Sequence, residues 1–167
     1  GNSQRDQRLF ALGQRAVLPC NGIVVVEKLV RQFIAELADF AKARQVLGPR
    51  QLAGGNTAGD VACALETDTG ATYLGVCIDV SSGIGFCAEH ATIAAMVTAG
   101  ETRIRRIVAV WGDDVVLPPC GRCRELIYQI DHANWRGTLV VLGPDRAQPL
   151  AELLPHPFDE VWGEPGT

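Results

Sequence analysis

Two short stretches of the chain concentrate side chains that could do chemistry. In Phe86–Ala95, "FCAEHATIAA", the residues Cys87, Glu89 and His90 open an otherwise apolar segment. In Leu117–Glu125, "LPPCGRCRE", Cys120 and Cys123 stand three residues apart. A Cys-x-x-Cys pair can close on one metal ion, and redox dithiols share the same spacing. Cys87 tips the balance toward metal. It supplies a third soft ligand from a second helix start, where partial positive charge and free backbone N–H groups offset thiolate charge. The metal implied is Zn2+, and three protein ligands leave the fourth tetrahedral position for water, as in catalytic zinc sites. Glu89, two residues from a ligand at the lip of the same helix, is then placed to take a proton from that water and pass it to a substrate. The duller alternative is a structural zinc with Cys63 or Cys77 as the fourth ligand.

The elements that must carry these residues follow from hydrophobic rhythm. Between Ile23 and Arg44 the residues Val26, Leu29, Val30, Phe33, Ile34, Leu37 and Phe40 recur at three- and four-residue steps, which predicts an amphipathic helix. Pro49 and four glycines break the next segment into a loop. "VACALET" and "ATYLGVCIDV" flank Asp68, Thr69 and Gly70 and read as a hairpin. "CAEHATIAAMVTAG" reads as a helix stopped at Gly100, "IRRIVAVWG" as a buried strand, and a further helix starts near Cys120 with Leu126, Ile127 and Ile130 on its apolar face. "TLVVLG" is a strand, "PLAELL" a helical turn or two, and "FDEVW" a last strand. Such alternation predicts one sheet with helices on both faces, antiparallel at the first hairpin and with parallel crossovers later.

Composition narrows the function classes. The chain has 167 residues, 47% of them hydrophobic and 20% charged, enough for one well-buried core. Residues 1–22 read as an N-terminal extension, with Gly1, Asn2 and Ser3 resembling a tag scar, and residues 23–167 as a single domain. A formal net charge of −4 and the lack of an aromatic-basic stripe argue against a nucleic-acid partner. No run is apolar enough to cross a bilayer or serve as a secretory signal, so a cytoplasmic protein without a membrane partner is expected. Six cysteines in a core of this size are read as ligands or reactive thiols rather than disulfides, and Cys20 and Cys63 as small buried hydrophobes. Trp111 and Trp135 read as packing residues and Trp162 as core or pocket wall.

The paired motifs, Cys87-Ala88-Glu89 and then Pro119-Cys120-Gly121-Arg122-Cys123, resemble those of the zinc nucleoside and nucleobase deaminases. The resemblance runs from about Gly59 to Trp162, and cysteine as first ligand is similar to the cytidine deaminase and blasticidin S deaminase branch. "CGRCRE" and "ELLPHPFDEVW" look closer to the blasticidin S enzymes. It implies an α/β fold, a three-layer α/β/α sandwich around a mixed five-stranded sheet. It also implies a zinc-dependent aminohydrolase, with Cys87, Cys120 and Cys123 holding the metal and Glu89 acting as acid and base. The Ala88 N–H and the Pro118 carbonyl would contact the base. Asp79 is a further candidate for substrate contact, and His90 and Arg124 (or Arg122) for support of the thiolates. A small-molecule substrate and a homotetramer complete the implication.

Three segments depart from the family. Where cytidine deaminases carry Asn-x-Glu to hold ribose hydroxyls, this chain has Cys77-Ile78-Asp79; Gly59 replaces a first-strand Phe, and His90 the Arg after the catalytic Glu. The expected reaction is hydrolytic deamination of a cytosine nucleoside or a related antibiotic such as blasticidin S. The alternatives are another base, such as guanine or an aminotriazine, and a non-catalytic zinc-braced assembly protein.

Overall fold

The computed structural model describes residues 38–112, 115–143 and 145–159. The extension over 1–22, most of the helix expected from Ile23, Cys20 and Trp162 lie outside these residues. What is described of that helix, residues 38–46, is here called α1. The chain continues through β1 (Arg50–Gln51), β2 (Thr57–Thr67), β3 (Thr72–Asp79), α2 (Ala88–Thr98), β4 (Ile104–Trp111) and β5 (Val115–Leu117). It ends with α3 (Gly121–Ile130), α4 (Asn134–Gly137), β6 (Leu139–Gly143), β7 (Arg146–Pro149) and α5 (Leu150–Leu153).

Among the described residues seven strands form the sheet, two more than the five expected, yet it is five ranks wide. β2 pairs along one side with β3 and along the other with β4 from Val61 on, so β1, paired to Thr57 and Ala58, occupies the place β4 does not reach. Likewise β5 pairs Ala109–Trp111 on the side of β4 that β6 holds at Arg106 and Ile107. Both additions satisfy backbone groups that would otherwise face a gap in the ladder. Because β3 and β4 are each antiparallel to β2, they run parallel to one another, and the β3–α2–β4 connection is a crossover that skips a strand. β6 lies parallel to β4. β7, an antiparallel edge strand ending in Pro149, carries no alternating pattern that would mark it in the sequence. Phe158 and Asp159 lie in a turn, not in the last strand expected there.

Period-two alternation sorts the central strands between two cores. Cys63, Leu65, Ile107 and Ala109 pack with Ile93 and Met96 of α2 and Ile127 and Tyr128 of α3. Ala62, Ala64, Val108 and Val110 pack on the opposite face with Phe40 and Ala43 of α1. Helices therefore cover both faces, and the strands between them are buried on both, the three-layer arrangement expected. α1 is also held by charge. Arg106 on β4 donates to Asp39 of α1 at 2.7 Å and to Glu66 of β2 at 2.6 Å, while Lys42 donates to Thr72 at 3.0 Å. The Asp39 side chain is 2% exposed.

Removing Arg106 would leave Asp39 and Glu66 as buried or half-buried anions without their main partner. Arg106→Ala is expected to cost about 3 kcal/mol of stability, read as a lower urea midpoint, with Arg106→Lys recovering part of the loss.

Candidate active site

Two helix starts converge at one end of the sheet. Cys87 is the N-cap of α2 and Cys120 the N-cap of α3. Cys123 follows one turn into α3 and is buried. Their sulfurs face one another: Cys87 Sγ to Cys120 Sγ is 3.8 Å, Cys120 to Cys123 3.4 Å, and all three lie within 4.8 Å. Thiolates about 2.3 Å from a tetrahedral zinc lie about 3.8 Å from one another, so this donor set fits a zinc ion.

The electrostatics point the same way. Burial pushes the Cys123 thiol well up, helped by the charge of Glu89 and by the other two thiols. Burial also raises Cys87, whereas at Cys120 hydrogen bonds from Cys123, Cys87 and the Arg122 backbone outweigh burial and bring the thiol down. Three thiols this close resist ionising together without a cation between them.

Close backbone approaches aim α2 at this point. Phe86 exchanges backbone hydrogen bonds with Ile78 at 2.9 and 3.0 Å, and a Cβ on Gly85 would stand 2.4 Å from the Ile78 carbonyl oxygen. Cys87 is thereby pinned to the end of β3. One turn later Thr92, fully buried, donates to the Ala88 carbonyl at 2.8 Å and lies against β3 so tightly that a Cβ on Gly75 would come within 2.6 Å of its N and Oγ1.

A cavity of about 330 Å³ opens between these helix starts and the strand ends. It brings together Cys87, Ala88, Glu89, Pro118, Cys120 and Asp79, all singled out in the sequence. Glu89 is 5% exposed, and burial raises its carboxyl above the ordinary value although backbone and Cys123 hydrogen bonds act against the shift. His90 places Nδ1 3.5 Å from Cys123 Sγ, and burial, with Arg122 nearby, holds its imidazole toward the neutral form. Arg122 lines the cavity. Arg124 does not: it donates to the carbonyls of Pro119 at 2.8 Å and Leu153 at 3.0 Å, bracing the loop before Cys120 rather than touching a sulfur. Cys63 is buried in the core, and Cys77 belongs to a separate group with Asp60 and Asp79, so among the described residues neither joins the three sulfurs. The apolar wall of Val61, Phe86, Ala109 and Leu117 was not singled out, since no local signal marks residues that meet only after strands pair.

An α/β/α sandwich whose two helix starts present Cys87, Cys120 and a buried glutamate to one cavity, with the Cys123 thiol beside them, defines the class of hydrolytic deaminases. Cytidine deaminase of Mycobacterium tuberculosis is 34% identical over 99 residues, which make up 59% of this chain and 71% of that protein. Its crystal structure superposes with a TM-score of 0.60 at 30% identity, covering 71% of this chain and 93% of that one. The Mycobacterium leprae cytidine deaminase structure gives a TM-score of 0.56 at 28% identity, covering 72% and 94%. No protein-family model matches the chain. The chain belongs to the cytidine deaminase family.

The contact between Gly75 and Thr92 sets how close α2 can sit to β3. Gly75→Ala is expected to lower stability by roughly 1–3 kcal/mol in denaturant unfolding, because the clash is with backbone that cannot give way. Gly137→Ala, where no atom lies within 4 Å of the added Cβ, should be nearly neutral.

Proposed function

We propose that the chain is a zinc-dependent aminohydrolase that converts the ring amino group of a cytosine nucleoside, or of a nucleoside-like compound, to the oxo form with release of ammonia. The observation that carries this reading is the convergence of Glu89, Cys87 and Cys120 on one cavity of small-molecule size, with the Cys123 sulfur grouped with the other two. Cys87, Cys120 and Cys123 would hold the zinc, which when bound supplies the Lewis acidity that makes hydroxide accessible near neutral pH. His90 would steady Cys123 through its ring nitrogen, and Arg124 the loop that carries Cys120.

Glu89 moves the protons. Its carboxylate takes the proton of the attacking water; the carboxylic acid so formed protonates the ring nitrogen beside the amino-bearing carbon as hydroxide adds there. Glu89 then takes the proton of the newly added hydroxyl and passes it to the amine, and as the carbonyl forms the C–N bond breaks and ammonia leaves. Burial suits the group to this double duty, because a carboxyl whose pKa is raised both accepts and returns a proton more readily near neutral pH. The Ala88 N–H, at the start of α2, would hold the carbonyl edge of the base, and the Pro118 carbonyl would receive the N–H of the leaving amine. The apolar wall would sandwich the ring, and Asp79 would meet whatever the base carries. The same reading expects a cytoplasmic homotetramer, in which a partner would cover exposed apolar residues such as Trp111, 53% exposed, and Val115. Light scattering that gives a monomer at working concentration would remove the tetramer.

Ammonia release is the test, with cytidine, deoxycytidine, blasticidin S, guanine and an aminotriazine as the panel. Glu89→Ala is expected to lose on the order of 10²–10⁴-fold in rate while retaining one zinc per chain by metal analysis. Alanine at Cys87, Cys120 or Cys123 should release zinc and activity together. Near-native turnover by Glu89→Ala, or zinc loss in that variant, would sink the assignment. Zinc bound by a wild-type chain inert toward the whole panel would favour a non-catalytic zinc-braced role.

A further inference from the structure

The three grouped sulfurs are not equally placed. Cys87 and Cys120 line the cavity, whereas Cys123 does not and is fully buried one turn into α3. Cys120 is the exposed member of the set and Cys87 is half-buried. Cys120 is also the sulfur that the other two share, 3.4 Å from Cys123 and 3.8 Å from Cys87. A small solute that enters by the path of a substrate therefore meets at Cys120 a sulfur with a sheltered second one in contact with it.

The other described thiols are closed to such a solute. Cys63 is fully buried in the core. Cys77 lines the cavity but is only 5% exposed, and its sulfur is taken up by the Val61 N–H and by Asp79, each at 3.2 Å. Cys120 and Cys123, by contrast, carry the spacing that redox dithiols share with metal sites. One is the N-cap of α3 and the other lies in its first turn, so both ends of a bond between them belong to one helix. A disulfide measures about 2.0 Å between sulfurs, so this pair has roughly 1.4 Å to close and need not move α3 against α2. Joining Cys120 to Cys87 would instead clamp two helices across a wider gap.

We infer that Cys120 is a modification site, at which hydrogen peroxide entering the cavity converts Cys120 and Cys123 into a disulfide and sets the metal free. The inference rests on the zinc reading of the three sulfurs. In the first step the Cys120 thiolate attacks one peroxide oxygen, the O–O bond breaks, hydroxide leaves and Cys120 becomes a sulfenic acid. In the second the Cys123 thiolate attacks the Cys120 sulfur, the S–O bond breaks and a second hydroxide leaves. The sulfur pair has then lost two electrons and the peroxide has gained them. Cys87 alone does not hold zinc, so the same oxidation switches off the proposed aminohydrolase, and a dithiol reductant with Zn2+ restores it.

The test titrates the zinc-loaded wild type with hydrogen peroxide, reads released zinc with a chromogenic chelator against a peroxide-free control, and maps thiols and disulfides by alkylation and peptide mass spectrometry. The expected result is loss of about one zinc for each Cys120–Cys123 disulfide, at peroxide levels that leave Cys63 and Cys77 free. Dithiothreitol followed by Zn2+ should return both the thiols and the metal. Cys87→Ser keeps the pair and is expected to form the same disulfide, whereas Cys123→Ser should stop at a Cys120 sulfenic acid that dimedone labels. If either variant fails to fold, the wild-type map decides alone. Zinc retained with all three thiols free, a disulfide that joins Cys87, earlier oxidation of Cys63 or Cys77, or zinc loss through an irreversible sulfinic acid would each overturn the inference. A wild-type chain that takes up no zinc would remove the metal from the proposed reaction, while the map would still decide whether peroxide joins Cys120 to Cys123.

Discussion

Three thiols and a carboxylate face one small volume, and the structure around them answers the repulsion this creates. Each helix that contributes a sulfur does so at or next to its first turn, where unpaired N–H groups and the helix dipole favour negative charge. Cys87 and Cys120 occupy the N-cap positions themselves, so their sulfurs sit where the helix ends favour negative charge. A divalent cation is what this donor set fits. The same contacts that bring the sulfurs together hold Cys123 and Cys87 toward the protonated form, and a divalent ion removes that penalty by taking the place of the protons.

Convergence of two helix starts requires the sheet. Skipping from β3 over β2 to β4 places α2 across the face that α3 also covers, so that both helices begin above the same strand ends. Tight backbone approach then fixes depth and direction: Gly75 lets Thr92 lie against β3, and Gly85 lets the segment before Cys87 cross Ile78. On the other face α1 is anchored through Arg106 to Asp39, an ion pair whose members are nearly out of solvent and which ties the outer layer to β2 and β4 together. Such a pair contributes less to net stability than to holding one arrangement, since a misplaced α1 would strand its charge.

The cavity divides into two chemical regions. Near Glu89 the walls are apolar strand side chains and helix-start backbone, suited to a flat ring whose polar edge meets fixed N–H and C=O groups. Toward β3 the wall carries the Asp79 carboxylate, which accepts the Cys77 thiol proton at 3.2 Å.

The reactive inventory was legible in the sequence because it is written locally. Residue type, three-residue spacing and helix-start position are all short-range properties, and they single out Cys87, Glu89, Cys120 and Cys123 before any fold is known. The hairpin at Asp68–Gly70, the helix stop at Gly100 and the two-sided burial of the central strands were legible for the same reason: turn chemistry and periodicity belong to the segment itself. Tertiary structure alone decided the rest. β1, β5 and β7 are too short to carry a periodic signal and exist because a neighbouring ladder offers them unpaired groups. Arg124 looked like a partner for thiolates by its position in the motif, but the loop geometry turns it to the carbonyls of Pro119 and Leu153. Cys77 meets Val61 across the β2–β3 pairing, sixteen residues away in the chain, and only that pairing determines that its thiol turns to Asp79 and not to the three sulfurs. Chemistry carried by one segment can be read from it, whereas the shape and polarity of a cavity arise from side chains that become neighbours only when distant strands pair.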